Sequence, residues 1–287
     1  MSKLKPKLPA DAYTVGLIYI KPLEMNAIAV MLDEEHQPVD LHFNDKSEYT
    51  LGRIGDHNVI LVGPPRGAEG KVATADFVGR IHMTFNNVRV GLLVGIGGGI
   101  PRLPEHDVRL GDVVVGAPES GPAVVQYDLG KQGLNGVEVT RTLNKPPDQL
   151  LGVVNAVEDR YLRLGDDEES FFTEHLRRFE TEYHHPEGSD CGSHDAVNLI
   201  VRSDREPGEE IKIHYSTILS GDLVMKSPDV QDRLGAKHNN ALCFEMEAAG
   251  LMDVLPCLVI RGIADYSDSH KSDGWQRYAA AVAAAYA

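Results

Sequence analysis

The sequence is poor in the features that would invite a metal, a membrane or a nucleic acid. It has three cysteines, Cys191, Cys243 and Cys257, with no metal-type spacing, and two of them lie inside apolar runs. Buried, reduced thiols of a cytoplasmic protein are the expected reading. No apolar run reaches the ~18 residues of a membrane span. The opening stretch, MSKLKPKLPADAY, lacks the apolar core of a signal peptide. Basic residues are scarce, 28 against 43 acidic ones for a net charge of −15, which argues against a partner with a phosphate backbone. Neither a phosphate loop with GK[ST] nor a dinucleotide fingerprint is present, so no cofactor is expected. His184, His185 and His194, with Asp190 and Cys191 between them, have no zinc-finger spacing and read as an exposed loop.

What the sequence does contain is an alternation of strands and helices. At 287 residues it suits one large α/β domain or two small ones. With no repeat and no clear linker, one three-layer domain with a central mixed sheet flanked by helices is expected over 13–287. Residues 1–12 read as a flexible polar tail. YTVGLIYI, Tyr13 to Ile20, is a buried strand stopped by Lys21-Pro22. Leu23 to Leu32 then has helical spacing with Glu24 in its first turn, where the helix dipole alone favours an acid. Tyr49–Ile54 and Asn58–Val62 form a hairpin across Gly55-Asp56-His57. A Gly and Pro loop leads into a helix to about Thr84; its Arg66 and Lys71 are either solvated charges or face an anionic substrate group. Val90–Val94 is a buried strand running into a glycine loop that includes Gly97 and Gly98, where glycine permits positive φ and close approach of backbone N–H groups to a ligand.

Gly111–Gly116 is a further strand, and Gln126–Gly136 is turn-rich. A helix opens at Lys145-Pro146-Pro147-Asp148. A polar insertion covers about 162–210, with a helix near 168–182, and Ile211–Leu219 is one more strand. The closing helix, from Gly274, has no C-cap, as expected of a domain cut from a longer polypeptide. The chain is organised around LCFEMEAAGLMDVLPCLVIRGIADYSD, Leu242 to Asp268. It holds Glu245-Met246-Glu247, then an apolar strand ending in Arg261-Gly262-Ile263-Ala264-Asp265. Carboxylates beyond buried strand ends sit where α/β proteins bind ligands, so Glu247 and Asp265 are placed in one site, although Asp265 also suits a helix N-cap.

Taken together, the strand with Glu24, VGIGGG, the Ser220-Gly221-Asp222 turn, FEMEAAG and RGIADYSD resemble the nucleoside phosphorylase and nucleosidase superfamily over nearly the whole chain, most closely its fungal branch. The resemblance implies a small-molecule purine nucleoside or nucleotide as ligand. It implies that Glu247 holds the ribose hydroxyls with Met246 packed on the sugar, and that Phe244, Val224 and Met225 form the base pocket. Asp265 matches the family's general acid at the purine, and a homo-oligomer, dimer or hexamer, is implied. Breaking an N-glycosidic bond needs an acid at the base and an anion near the sugar. Asp265 would then need burial or a carboxylate neighbour to raise its pKa.

Phosphorylases of this type bind phosphate with an arginine near the N-terminus, and with an arginine and a serine around the VG of the glycine loop. This chain offers Glu24, Leu93 and Ile96 instead. Glutamate at the first position resembles the water-activating base of hydrolytic members, so Glu24 and Asp265 are expected to be catalytic. The expected activity is hydrolysis of adenine nucleosides or nucleotides, in the range from adenosine to ATP. Arg66 and Lys71 are the expected phosphate contacts, with Arg102 and Lys226 as further loop cations. Phosphorolysis, or nucleotide sensing without turnover inside a larger protein, are the alternatives.

Overall fold

Two apolar layers sandwich a central sheet, as seen in a computed structural model that describes residues 5–133, 136–163, 171–186, 202–206 and 208–287. In chain order the described elements are β1 (Val15–Ile18), α1 (Pro22–Val30), β2 (Glu34–Glu35), β3 (Tyr49–Ile54), β4 (His57–Val62), α2 (Gly70–Thr84), β5 (Val90–Gly99), β6 (Val113–Val115) and β7 (Val124–Gln126). There follow β8 (Gly130–Gly133), β9 (Gly136–Val139), α3 (Asp148–Leu162), α4 (Phe171–Leu176), β10 (Ile213–Tyr215), β11 (Ile218–Ser220) and α5 (Pro228–Lys237). The chain closes with β12 (Cys243–Glu245), α6 (Ala248–Leu251), β13 (Cys257–Asp265) and α7 (Gln276–Tyr286).

The main sheet runs β10-β6-β13-β5-β1-β4-β3-β2, with β12, β11 and β7 branching from the far end of β5. Its centre, β13-β5-β1-β4, is parallel. Such strands are covered on both faces and therefore read as continuous apolar runs rather than alternating ones. The pleat still sorts them: Ile18, Ile60, Val62, Leu93 and Val259 enter one core with Phe77, Ile81 and Leu251. Leu17, Leu61, Val94, Leu258 and Ile260 enter the other, with Ala27, Ile28 and the alanines of α7. Alanine suits α7 because the helix lies directly on β13: a Cβ on Gly262 would come within 1.9 Å of the Ala279 carbonyl oxygen.

Several expectations change. Residues 5–12 are not a free tail: the amide of Gln37 donates to Pro6 O at 2.7 Å, its side chain donates to Lys5 O, and Ala10–Ala12 form a 3-10 turn. Residues 1–4 lie outside the described residues. The stretch 211–219 is two strands, β10 on β6 and β11 between β7 and β12, because the chain crosses between parts of the sheet at Ser216-Thr217. The segment 126–136 contains one strand of the β8-β9 hairpin. Of the insertion at about 162–210, residues 164–170, 187–201 and 207 lie outside the described residues, Asp190, Cys191 and His194 among them; within it α4 covers 171–176 of the expected 168–182 helix. His184 bonds to the Phe179 carbonyl at 3.0 Å, and His185 packs edge-on against Trp275 and Tyr278.

The largest revision concerns the glycines. Gly95, Gly97, Gly98 and Gly99 are not a loop; β5 continues through them, and none has positive φ. Their neighbours demand the missing side chain. A Cβ on Gly95 would stand 2.4 Å from Glu24 Oε1, on Gly97 2.5 Å from Cys243 Sγ, and on Gly98 1.9 Å from Ser267 Oγ. The strand is stripped so that polar groups of four other segments can close on it.

Candidate active site

Pro22 opens α1, with its fixed φ suited to a first helical position. Glu24 stands two residues further on, and its side chain folds back so that Oε2 accepts from the amides of Ile20 and Lys21, both at 2.8 Å. Oε1 accepts from the amide of Ile96 on β5 at 2.9 Å. Three backbone donors fix this carboxylate, which is only 2% exposed. Its role as a helix cap and its place at the ligand-facing strand ends are thus the same geometry.

Beside it lie the two glutamates of the EME segment. Glu245 Oε2 accepts from the amides of Glu247 and Ala248, at 3.0 and 2.8 Å, which caps α6. The same oxygen accepts from Arg261 Nη2 at 2.6 Å. Arg261, on β13, is the largest fully buried side chain among the described residues, and its register partner is Gly95. Its Nη2 also reaches Glu247 Oε2 at 3.5 Å. One guanidinium therefore serves two glutamates, with Glu24 close by. Burial, and then repulsion from Glu245 and Glu24, push the Glu247 carboxyl up to about 8 against the pull of Arg261.

Asp265 ends β13 at the level of Gly98, and Phe244 of β12 faces the same glycine from the other side. Asp265 Oδ1 accepts from the amide of Ser267 at 2.9 Å, in a turn where Ser267 has φ 55°. Oδ2 is paired with Lys271 Nζ at 2.5 Å. Asp265 is buried, as a raised acid would require, but its neighbour is an ammonium and not a carboxylate. Nor is it a helix N-cap: it lies within the strand and α7 begins eleven residues later, at Gln276.

These groups line a cleft of about 800 Å³, part of it open to solvent, together with Ile96, Gly97, Val224, Met225 and Met246. Of the residues singled out in the sequence, Glu24, Phe244, Met246, Glu247, Asp265, Val224, Met225, Gly97 and Gly98 thus come together. Arg66 and Lys71 do not. Arg66 is exposed on its loop, away from the cleft. Lys71 Nζ is caged by both oxygens of Asp128 at 2.7 Å and by Asp222 at 3.2 Å. The cations on the cleft are Lys21 and Lys271 instead. Leu93 lies in the apolar core rather than on the cleft, because the pleat turns it away. A larger hollow, about 1020 Å³ over Gly121–Val125 and Val139–Leu143, carries no carboxylate and lies apart from this chemistry.

Arg261, Ser267 and Lys271 went unassigned in the sequence reading. Arg261 had a signal, a charge inside an otherwise apolar strand, which must be paired when buried. Lys271 had none, because it lies in a polar turn.

An α/β sheet whose parallel strand ends gather the carboxylates of Glu24, Glu245, Glu247 and Asp265 beside an apolar wall defines a ligand-binding domain of the doubly covered class. The profile of the Phosphorylase superfamily matches residues 16–286, and the chain belongs to that family. It is 38% identical, over 99% of its length, to part of a nucleotide-binding leucine-rich repeat (NLR)-like protein of Hyaloscypha variabilis, and covers 29% of that protein. A 97-residue segment is 33% identical to the ATP nucleosidase Cap17 of Escherichia coli, covering 31% of this chain and 19% of that one. The chain thus spans less than a third of the curated relatives it matches. In fold it is similar to the 5′-methylthioadenosine/S-adenosylhomocysteine nucleosidase of Neisseria meningitidis, with TM-score 0.64, 16% identity and 95% of each chain covered. It is likewise similar to futalosine hydrolase of Helicobacter pylori, with TM-score 0.62, 17% identity and coverage of 95% and 94%.

Proposed function

We infer that the protein is a purine nucleosidase, hydrolysing the bond between base and ribose in adenine nucleosides or nucleotides. The observation that carries this reading is the anchoring of Glu24: three amides hold its carboxylate at the cleft, where a phosphate nucleophile would require cations. Phosphate there would face Glu24 and Glu247, and the nearby guanidinium of Arg261 is already committed to Glu245 and Glu247. Water suits the same place, because a carboxylate can orient it and take its proton. Glu247 would accept the ribose hydroxyls with Met246 against the sugar, while Phe244, Val224 and Met225 wall the base. As the C1′–N bond breaks, its electron pair passes to the purine, which takes a proton at the Asp265 end. The water oxygen joins C1′ and its proton goes to Glu24. The ATP nucleosidase and methylthioadenosine nucleosidase among the similar proteins act on the same kind of bond.

Adenosine, inosine and ATP, each incubated with the protein with and without phosphate and resolved by chromatography, test this. Free adenine without phosphate is expected, and Glu24→Gln and Asp265→Asn should each slow its release at least ~100-fold. Base released only when phosphate is present would replace hydrolysis with phosphorolysis. No base from any substrate would favour a nucleotide-sensing module, the reading that the likeness to an NLR-like protein supports.

A further inference from the structure

Hydrogen-bond donors meet both carboxylate oxygens of Asp265. The residue is buried, yet one oxygen accepts an amide proton from Ser267 and the other meets the ammonium of Lys271 at 2.5 Å. Donors on both oxygens favour the charged form of a carboxylate. The turn that brings Lys271 back to Asp265 is built for it. Ser267 takes a left-handed backbone, Gly98 has no side chain beneath the Ser267 hydroxyl, and His270 N donates to Asp268 Oδ1 at 2.8 Å to tighten the return. Lys271 stays at the cleft with its side chain 31% exposed, so it can exchange protons with solvent.

We propose that the proton taken by the leaving purine originates on Lys271 and passes through Asp265. This rests on the nucleosidase reading above and changes where its acid lies. Lys271 Nζ gives a proton to Asp265 Oδ2, and that same proton passes on to a ring nitrogen of the purine as the C1′–N electron pair departs, so Asp265 ends as the carboxylate it began. Lys271 is left neutral and Glu24 protonated by the attacking water. Both return to their starting states by exchange with solvent, so atoms and charge balance. Lys271 acts through Asp265 and does not itself meet the substrate.

The test compares two leaving groups. Adenine needs a proton to depart, whereas 4-nitrophenolate leaves without one, so adenosine and 4-nitrophenyl riboside are assayed on the wild type, Lys271→Met and Lys271→Arg. Lys271→Met is expected to lower the adenosine rate relative to the nitrophenyl riboside rate at least ~100-fold. Lys271→Arg keeps the charge and the ion pair but cannot give up a proton at ordinary pH, so it should show the same loss. Recovery of the wild-type ratio by Lys271→Arg would reduce Lys271 to an electrostatic partner and overturn the proposal. An equal fall on both substrates, or no change in the ratio, would overturn it as well. Thermal melting of each variant separates these results from unfolding. A wild type that releases base from none of adenosine, inosine and ATP would instead sink the nucleosidase reading itself, whereas cleavage of adenosine and the nitrophenyl riboside with an unchanged ratio in the variants sinks only the relay.

Discussion

Asp112 and Glu247 are both buried carboxylates close to β13, and they are treated in opposite ways. Asp112 is fully buried and ringed by donors: Arg205 grips both oxygens, His214 Nε2 approaches at 3.0 Å, and the amides of Arg109 and Lys212 bond at 2.8 and 3.0 Å. Burial alone would raise its pKa, but the hydrogen bonds from Arg205 and His214 outweigh it and hold the carboxyl below its ordinary range. Glu247 has only the amide of Met246 at 3.3 Å and a shared guanidinium at 3.5 Å. Among the described residues Glu245 Oε1, an acceptor, and Arg261 Nε, a donor, have no hydrogen-bond partner, so the bonding capacity of this cluster is not filled by the protein. The first arrangement fastens Arg205, Lys212 and His214 to the sheet. The second leaves carboxylate lone pairs for something that is not protein.

Removing the central charge of each network should separate them most strongly. Arg261→Met leaves Glu24, Glu245 and Glu247 buried without it, and breaking a buried pair in this way costs about 3–5 kcal/mol. Loss of that stability in denaturant titration is expected, together with loss of base release by the molecules that remain folded. A smaller effect is expected at the structural site. Asp112→Asn gives up hydrogen bonds between charged groups worth about 1.5–3 kcal/mol each, so folding weakens by at least one such bond. Base release per folded molecule should stay as in the wild type. If Arg261→Met lowers only stability, the distinction between the two regions fails.

The central fold was legible because buried parallel strands announce themselves as apolar runs, and Tyr13–Ile20, Val90–Val94 and Pro256–Ile260 all mark real strands. The gathering of Glu24, Glu247, Phe244 and Asp265 was legible through the resemblance. Composition alone could not bring Glu24 to Ile96, 72 residues away. What misled was glycine. Four glycines within 95–99 suggested positive φ, but the same residue serves an extended strand pressed from both sides, and local sequence cannot tell the two apart. Lys71 misled for another reason: a loop cation near a site reads as free until the fold supplies Asp128 and Asp222, 57 and 151 residues on.

The finest test concerns a single proton. In the folded protein the Glu247 carboxyl lies at about 8, raised from an ordinary 4.5 chiefly by burial. A raised carboxyl favours the protonated form, so its contribution to stability is fully present below about 4.5 and is lost as pH rises through about 8. A ribose whose hydroxyls donate to this group needs it ionised. Binding should therefore expel up to one proton at pH 7, and fewer as pH climbs past the folded value. Calorimetric titration of the Asp265→Asn protein with adenosine, in two buffers of different ionisation enthalpy, measures that release directly while turnover is suppressed and the Glu24 charge beside Glu247 is kept. The expected record is a buffer-dependent heat at pH 7 that fades by pH 9 and is absent when Glu247→Gln is added. A buffer-independent heat at pH 7 would mean that the sugar meets a neutral Glu247, and the contrast with Asp112 would then be one of packing rather than of readiness to bind.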